Sequence, residues 1–352
     1  MLIDAHILVF IMSFAISPIF NKVYKYVLIS SNMNVITGAG RTLKYILDTE
    51  PGSIPYFLDS RFKMPKINPG QMVADLHAHP YINSQGAMID TIDAMANHSV
   101  DILAITTHGS GNIREHDYWT VKEMCGNMGK ISTEMTFQDH GTYFTMDRNR
   151  KKFYFIGAYE KSVSVEGIEG KIDVVSIMPD KGLEKNLDSD INFDKYKKIN
   201  DSFKALLIDV HPYTISDSYG PSEFFKSIFK FRSATPQERE ILQKRVFRNV
   251  DCIDTVSSNT AWMTQSNNDA SNDYQKIFGK HPLANSDAHS NTQFTRREIG
   301  RSGNIFYFEN FENDVTFREM LKLHIRNGLF DTYFNYTPSL QFVIGIALGD
   351  LI

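Results

Sequence analysis

Two short stretches carry the side chains best placed to do chemistry. Asp75-Leu76-His77-Ala78-His79-Pro80 follows the apolar run Met72-Val73-Ala74 and is expected at the end of a buried strand. With one residue between them, His77 and His79 would turn to the same side of a strand and could reach one ion. Far downstream, Ser286-Asp287-Ala288-His289 gives an acid and a histidine the same spacing, after the approach Gly-Lys-His-Pro-Leu-Ala-Asn. Either pair alone is equally well explained by a solvated turn or a stray core histidine. Together, with further histidines and acids at strand ends between them, they point to a metal site.

The elements that must position these groups read as a β/α domain from Met72 onward, short apolar strands alternating with helical stretches. The strand Ile102 to Ile105 runs into Thr106-Thr107-His108, and Phe153 to Ile156 into Gly157-Ala158-Tyr159-Glu160. Ile172 to Met178 carries Asp173 at its start, Ala205 to Val210 leads into His211-Pro212, Cys252 to Val256 leads to Asn259, and Ile305 to Phe308 is one more strand. Helices are expected at Ala87 to Ala96, Phe224 to Phe231, Pro236 to Val250 with Thr235 as its cap, Tyr274 to Phe278 and Phe317 to Ile325. The polar stretch Thr264 to Asn272 reads as a loop or helix start. If successive strands are parallel, their C-terminal ends share one rim. His77, His79, His108, Glu160, His211, Asp287 and His289 would then meet there as an imidazole and carboxylate set that suits Zn, Mn or Fe. Two such ions would hold a hydroxide, lower the pKa of its water and neutralise phosphoryl oxygens, which is the chemistry of phosphate ester hydrolysis. The sequence has no Gly-x-Ser-x-Gly elbow to supply a competing nucleophile.

At 352 residues the chain can bury a large core, and its formal charge of -4 gives no global positive field for long nucleic acid. Two local basic runs, Arg148, Arg150, Lys151, Lys152 and Lys226, Lys230, Arg232, Arg239, read as solvated faces, with nucleic-acid backbone as the alternative. The 2 cysteines, Cys125 and Cys252, lack the spacing of a thiolate zinc site or a disulfide framework, which favours a reducing, cytoplasmic setting. Residues 1–70 form an accessory region. Its apolar run Ile7 to Phe20 lacks a basic leader and is broken by Pro18, so a buried helix is favoured over membrane attachment. Gly38-Ala39-Gly40 lacks the ending of a phosphate loop. The main domain spans 71–330, and 331–352 is a tail whose apolar segment Phe342 to Leu348 would pack on it. The oligomeric state stays open.

In this order, the pieces resemble the PHP family of metal-dependent phosphoesterases, named for its polymerase and histidinol phosphatase members. The family's His-x-His motif falls on His77 and His79, its Thr-Asp-His on Thr106-Thr107-His108, its Gly-x-Glu strand end on Gly157 to Glu160, its His-Pro on His211-Pro212 and its Ser-Asp-Ala-His on Ser286 to His289. A Glu-x-x-Asn strand end is echoed by Thr255 to Asn259. The resemblance covers roughly residues 70 to 330 and implies a distorted (β/α)7 barrel, here with a mostly helical N-terminal extension, holding two or three divalent ions (Mn, Zn or Fe) at its C-terminal rim. It implies one ion on His77, His79, Glu160 and Asp287, with Glu160 bridging to a second ion on His211, and a third on His108 and His289.

The chain departs from the family at three places. Thr107 replaces an aspartate, Ser84 and Gln85 stand where a further histidine is common, and a histidine after the glutamate is missing. Asp173 is the closest substitute for the last, with an ordinary turn acid as the alternative, and Glu134 with Asp139 and His140 is the rival to Glu160. Arg114, His116, Arg296 and Arg297 are candidates for a phosphate, and Trp262 for stacking on a base. The implied activity is hydrolysis of a small phosphorylated metabolite or nucleotide by a metal-bound hydroxide, with His77, His79, Glu160, Asp287 and His289 as the catalytic set. The alternatives are a nuclease on short or single-stranded DNA or RNA, and a noncatalytic metal-binding protein.

Overall fold

The computed structural model describes residues 65–108, 116–128, 135–216, 231–257, 264–289, 298–308 and 314–335. The accessory region up to residue 64, with Ile7 to Phe20, and the tail beyond 335, with Phe342 to Leu348, lie outside them, as do Phe224 to Lys230 of one expected helix. No helix among the described residues is long and apolar enough to cross a membrane.

In chain order the strands are β1 (Gln71–Ala78), β2 (Ile102–His108), β3 (Met135–Asp139), β4 (Tyr143–Arg148), β5 (Lys151–Ser164), β6 (Lys171–Ile177), β7 (Leu206–Val210), β8 (Thr214–Ser216), β9 (Phe231–Ser233), β10 (Cys252–Ser257), β11 (Leu283–Asn285), β12 (Gly303–Tyr307) and β13 (Phe330–Tyr333). They form one sheet whose main path runs β11-β10-β7-β6-β5-β2-β1-β12-β13. β1, β2 and β5 are parallel neighbours, as are β7, β10 and β11. β6 joins the two groups by pairing antiparallel with both β5 and β7, so all six run the same way. Their C-terminal ends share one rim. β6 runs backward, which interrupts the expected succession of parallel strands, and β3 and β4 add a hairpin that the sequence reading did not foresee. The fold is mixed α/β with a nearly closed, barrel-like sheet.

Closure comes from side chains and a few loop peptides where β11 meets β1. Asn304 of β12 places its amide against Ala284 as a peptide of a neighbouring strand would, accepting from Ala284 N at 3.0 Å and donating to Ala284 O at 2.8 Å. Leu76 N donates to Asn285 Oδ1 at 2.7 Å. Above this point backbone bonds take over, from Asp287 N to His77 O and from His79 N to Ala288 O, both 2.8 Å. Buried peptide groups need partners, and the seam supplies them where the ladder stops.

The core follows the period-2 alternation of the strands. Ile102 and Ala104 face the barrel interior, while Leu103 and Ile105 face an outer layer with Met88, Ile92 and Met95 of α1 (Gln85–Asn97). These three side chains recur at helical spacing, and full burial of each contributes roughly 2 kcal/mol. Ser84 caps α1 by accepting from Ala87 N at 3.2 Å. The helix α2 (Tyr118–Met128) packs Tyr118 against Gly157, where an added Cβ would lie 2.8 Å from the ring. The glycine of the Gly157 to Glu160 motif thus answers a packing demand. α3 (Phe193–Ser202) is capped by Asn192.

α4 (Pro236–Leu242) starts with the capping box Thr235 and Glu238 and continues as a π turn at Gln243–Phe247, shorter and less regular than the expected Pro236 to Val250 helix. α5 (Thr264–Phe278) joins the stretch Thr264 to Asn272, expected as a loop or helix start, and the expected helix Tyr274 to Phe278 into one helix. Its buried residues Ser266, Asn267, Ala270 and Tyr274 follow helical spacing, but most are small or polar and so carried no apolar signal. α6 (Asp314–Asn327) lies at the opposite end of the barrel from the rim, where Arg318 meets the chain before β7.

Candidate metal centre

Each strand end delivers its residue for a local reason. In β1 the pairing with β2 shifts register between Asp75 and Ala78, adding one residue as a bulge does. Ala78 packs outward with Leu103 and Ile105, so the histidines on either side of it both turn inward, with ring centroids 5.4 Å apart. His108 and Glu160 are direct partners across β2 and β5 and share a face. His211 and Asp287 follow β7 and β11 in left-handed conformation, φ 52° each. For residues with a side chain this costs about 1 kcal/mol or more, and such strain collects at functional sites. The turns are held by Thr214 N donating to His211 O and Asp287 N donating to His77 O.

The result is one buried cluster. Glu160 Oε2 lies 3.5 Å from His77 Nε2, 3.0 Å from His79 Nε2 and 3.6 Å from His108 Nε2. Asp287 Oδ1 lies 3.5 Å from His77 Nε2 and 3.6 Å from His79 Nε2, and Asp287 Oδ2 lies 3.5 Å from His211 Nε2. His79 stacks between His108 and His289, at 4.0 and 4.5 Å between centroids. His77 and His79 form the floor at 1 % and 0 % side-chain exposure, and His108 stands at the mouth at 24 %.

Among the described residues, three groups have ligand atoms within 4.8 Å of one another: His79, His108 and His289; His77, His79 and Asp287; and His77, Glu160 and His211. The donors are imidazole and carboxylate throughout, a set fit for a borderline divalent cation. A second observation agrees with that fit: among the described residues the buried His77 Nε2 has no hydrogen-bond partner, although two carboxylates lie 3.5 Å away. Buried polar atoms are normally satisfied, and a cation would satisfy this one.

Burial and mutual charge set the protonation states. Burial pulls the His77 imidazole down, but Asp287, Asp254 and Glu160 outweigh it and hold it well above its usual value. Burial likewise raises Glu160, and the imidazoles of His77, His79 and His108 beside it bring it well below the ordinary carboxylate range. Asp287 is pushed up to about 7, by burial first and by the Glu160 charge, against the pull of His77. Burial and the neighbouring imidazoles drive His211 down to about 3 and His289 well below its usual value. Those two rings are neutral at pH 7, the form in which imidazole binds a cation.

The structure brings together His77, His79, His108, Glu160, His211, Asp287 and His289. Asp173 is not in the three groups; it lies on the backward strand β6, where its Oδ1 accepts from Ser162 Oγ at 2.6 Å. The rivals to Glu160 are elsewhere. Asp139 pairs with Lys122 at 2.6 Å and His140 stacks on Tyr143, while Glu134 lies outside the described residues. His116 is exposed, and Arg114, Asn259, Trp262, Arg296 and Arg297 lie outside the described residues.

Sequence reasoning missed two supporting acids. Asp75 accepts from Ser286 N at 3.0 Å, Ser286 Oγ at 2.5 Å and Gly300 N at 2.9 Å, anchoring the segment that carries Asp287 and His289. Burial raises its pKa to about 6. Asp254 lies 3.4 Å from His77 Nδ1. A lone acid inside the apolar run Cys-Ile-Asp-Thr-Val was the available signal. No family model and no curated protein matches the chain. Among solved structures, the chain is similar to a two-domain protein from Bacteroides vulgatus ATCC 8482 containing a predicted PHP-like metal-dependent phosphoesterase, at 11 % identity and a TM-score of 0.44, over 81 % of this chain and 74 % of that one.

Proposed function

We propose that this protein hydrolyses phosphate esters with divalent cations held at the barrel rim, and that its substrates are small phosphomonoesters. One observation carries the reading: seven imidazoles and carboxylates from five strands gather in one cluster, and within it the buried His77 Nε2 has no hydrogen-bond partner among the described residues. An imidazole nitrogen serves one ion, so groups that share His77 or His79 are alternatives. Two groups share no residue, His79 with His108 and His289, and His77 with Glu160 and His211. Two cations are therefore the reading we adopt, with the Asp287 carboxylate reaching toward both.

Bound divalent cations would supply a Lewis acid for phosphoryl oxygens and an acidified water. The residues themselves hold and orient. His77 and His79 fix the floor away from water, and Glu160 keeps its negative charge at the centre because its pKa is held low. His108, His211 and His289 stand nearer solvent, so the substrate phosphate approaches over them. Manganese, zinc and iron all suit this donor set.

The placement of the basic residues favours a small substrate over nucleic acid. Arg148 and Lys151 sit where β4 ends and β5 begins, away from the rim, and are paired with Asp93 and Asp101. Arg232 and Arg239 are paired with Glu238 and Asp269. Lys226 and Lys230 lie outside the described residues.

The test compares turnover of p-nitrophenyl phosphate and bis(p-nitrophenyl) phosphate by protein loaded with manganese or zinc, with metal content measured in parallel. Metal-dependent hydrolysis of the monoester, lost together with bound metal in His77→Ala, is the expected result. Preference for the diester would move the reading to a nuclease, and tight metal without turnover of either would end the enzymatic proposal.

A further inference from the structure

The hydrogen-bond polarity of the barrel seam runs without a break from a backbone peptide to a ring at the centre of the metal site. Ala284 N can only donate, and it donates to Asn304 Oδ1 at 3.0 Å, which fixes the Asn304 amide with Nδ2 facing Ala284 O at 2.8 Å. Asn304 Nδ2 also donates to Asn285 Oδ1 at 3.0 Å, where Leu76 N donates as well at 2.7 Å. With its oxygen taken by two donors, Asn285 turns Nδ2 toward Asp254 Oδ2 at 2.9 Å. That oxygen, already accepting from the Asn285 amide, lies 3.4 Å from His77 Nδ1, and a charged carboxylate there would take the ring's N–H. Neither amide orientation is a free choice, because a backbone group sets each one.

All four residues are buried, His77 and Asp254 at 1 %, Asn285 at 1 % and Asn304 at 0 % exposure. Closure needs only the Asn304 amide on Ala284 and the Asn285 Oδ1 that takes Leu76 N, so the further links from Asn285 Nδ2 to Asp254 and from Asp254 to His77 are more than the seam requires. We propose that Asp254 is a positioning residue of the metal centre. It holds His77 with Nδ1 protonated and Nε2 directed at the cation, and the Asn285 and Asn304 amides hold Asp254 in turn. The proposal rests on the metal reading above and adds to it a residue that touches no cation. Carboxylates that receive the distal N–H of a ligating histidine fix its tautomer and raise its basicity, and losing one typically costs 10- to 100-fold in metal affinity.

Two measurements test it. Long-range proton–nitrogen spectra of the wild-type protein, metal-free at a pH where the ring is neutral and again loaded with zinc, report which nitrogen of His77 carries the proton. Titration calorimetry with manganese compares wild type, Asp254→Asn and Asp254→Leu. In the asparagine variant Nδ2 cannot face Asn285 Nδ2, so Oδ1 must serve both donors without its charge, and affinity should fall roughly 10-fold. Leucine removes the acceptor and should cost about 100-fold, with His77 losing its single tautomer. Circular dichroism confirms folding, and if the leucine variant fails to fold, the wild-type spectrum and the asparagine variant still decide. A wild-type His77 with Nδ1 unprotonated, or variants that keep wild-type affinity, would overturn the proposal. A wild type that binds no metal would sink the metal reading instead, while the metal-free spectrum would still test Asp254.

Discussion

The two ends of the barrel treat buried polar groups in opposite ways. At the end away from the rim, the buried Arg318 guanidinium donates through Nη1 to Asp180 Oδ1 at 2.7 Å. Through Nη2 it donates to Met178 O at 2.7 Å, Phe203 O at 3.2 Å and Lys204 O at 2.8 Å, leaving Nε alone without a bond. It gathers the exit of β6 and the entry to β7 into one knot. At the rim, His77 is equally buried, yet Nε2 has no hydrogen bond and faces two carboxylates. Of the Arg318 donors only Nε is left over, whereas His77 Nε2 is left open between two carboxylates. An unsatisfied buried group costs about 1 to 3 kcal/mol, a cost that a cation bound at the rim would offset.

The widest separation between the two ends should come from Glu160→Gln. The change keeps the shape and removes the charge that His77, His79 and His108 all approach. Metal-dependent turnover should drop by at least about 10³-fold, equivalent to about 4 kcal/mol, with bound metal reduced and some stability of the metal-free protein lost at neutral pH, because the carboxylate is held well below its ordinary pKa. Wild-type turnover in this variant would remove Glu160 from the centre. Arg318→Met should do the reverse, lowering stability to urea by about 3 kcal/mol because the Met178, Phe203 and Lys204 carbonyls lose their donor, while metal stoichiometry in the folded protein stays as in wild type. If metal were lost with the arginine, the two ends would not be independent.

How much of this was legible depended on the range of the physics involved. The inward turn of His77 and His79 was readable because strand alternation is local. The bulge that accompanies it was not, because a register shift exists only against β2. Phe153 to Ile156 was visible as a strand, yet β5 runs from Lys151 to Ser164 because it pairs with β4 along its first half and β6 along its second. The backward run of β6 is a matter of its pairing with β5 and β7, where Asp173 lies opposite Ser162 and Val210, which no pattern within Ile172 to Met178 encodes, so the place of Asp173 could not be read. The last turns of α5 were legible at Tyr274 to Phe278, but its first half stayed open between loop and helix start because its buried face there is made of Ser266, Asn267 and Ala270. Asp254 was overlooked since its meaning lies in His77, 177 residues earlier.

The seam between the two ends should show an intermediate effect. Asn304→Leu is close in volume but leaves Ala284 N and O without the amide that imitates a strand. A loss of about 2 kcal/mol is expected, read by urea denaturation, and faster amide exchange at Ala284 should accompany it. Unchanged exchange there would mean that the seam is closed by the backbone bonds above it alone.

The smallest effect sharpens the comparison with a carboxylate satisfied by protein alone. Arg232 donates to both oxygens of Glu238 at 2.7 Å, and Thr235 N donates to Oε2 at 2.9 Å, which together lower the Glu238 pKa to about 2. Asp287 is pushed the other way, up to about 7, by burial first and by the Glu160 charge. Because the folded pKa of Glu238 lies below its unfolded value of about 4.5, its contribution is fully present above pH 4.5 and is lost as pH falls toward 2. Allowing for solvent screening of the partly exposed Arg232, Glu238→Gln should cost about 1 kcal/mol at pH 7. The gap between wild type and variant should narrow as urea midpoints are followed from pH 5 down to pH 3. A gap that stays constant over that range would assign the loss to the capping geometry of α4 rather than to the charge.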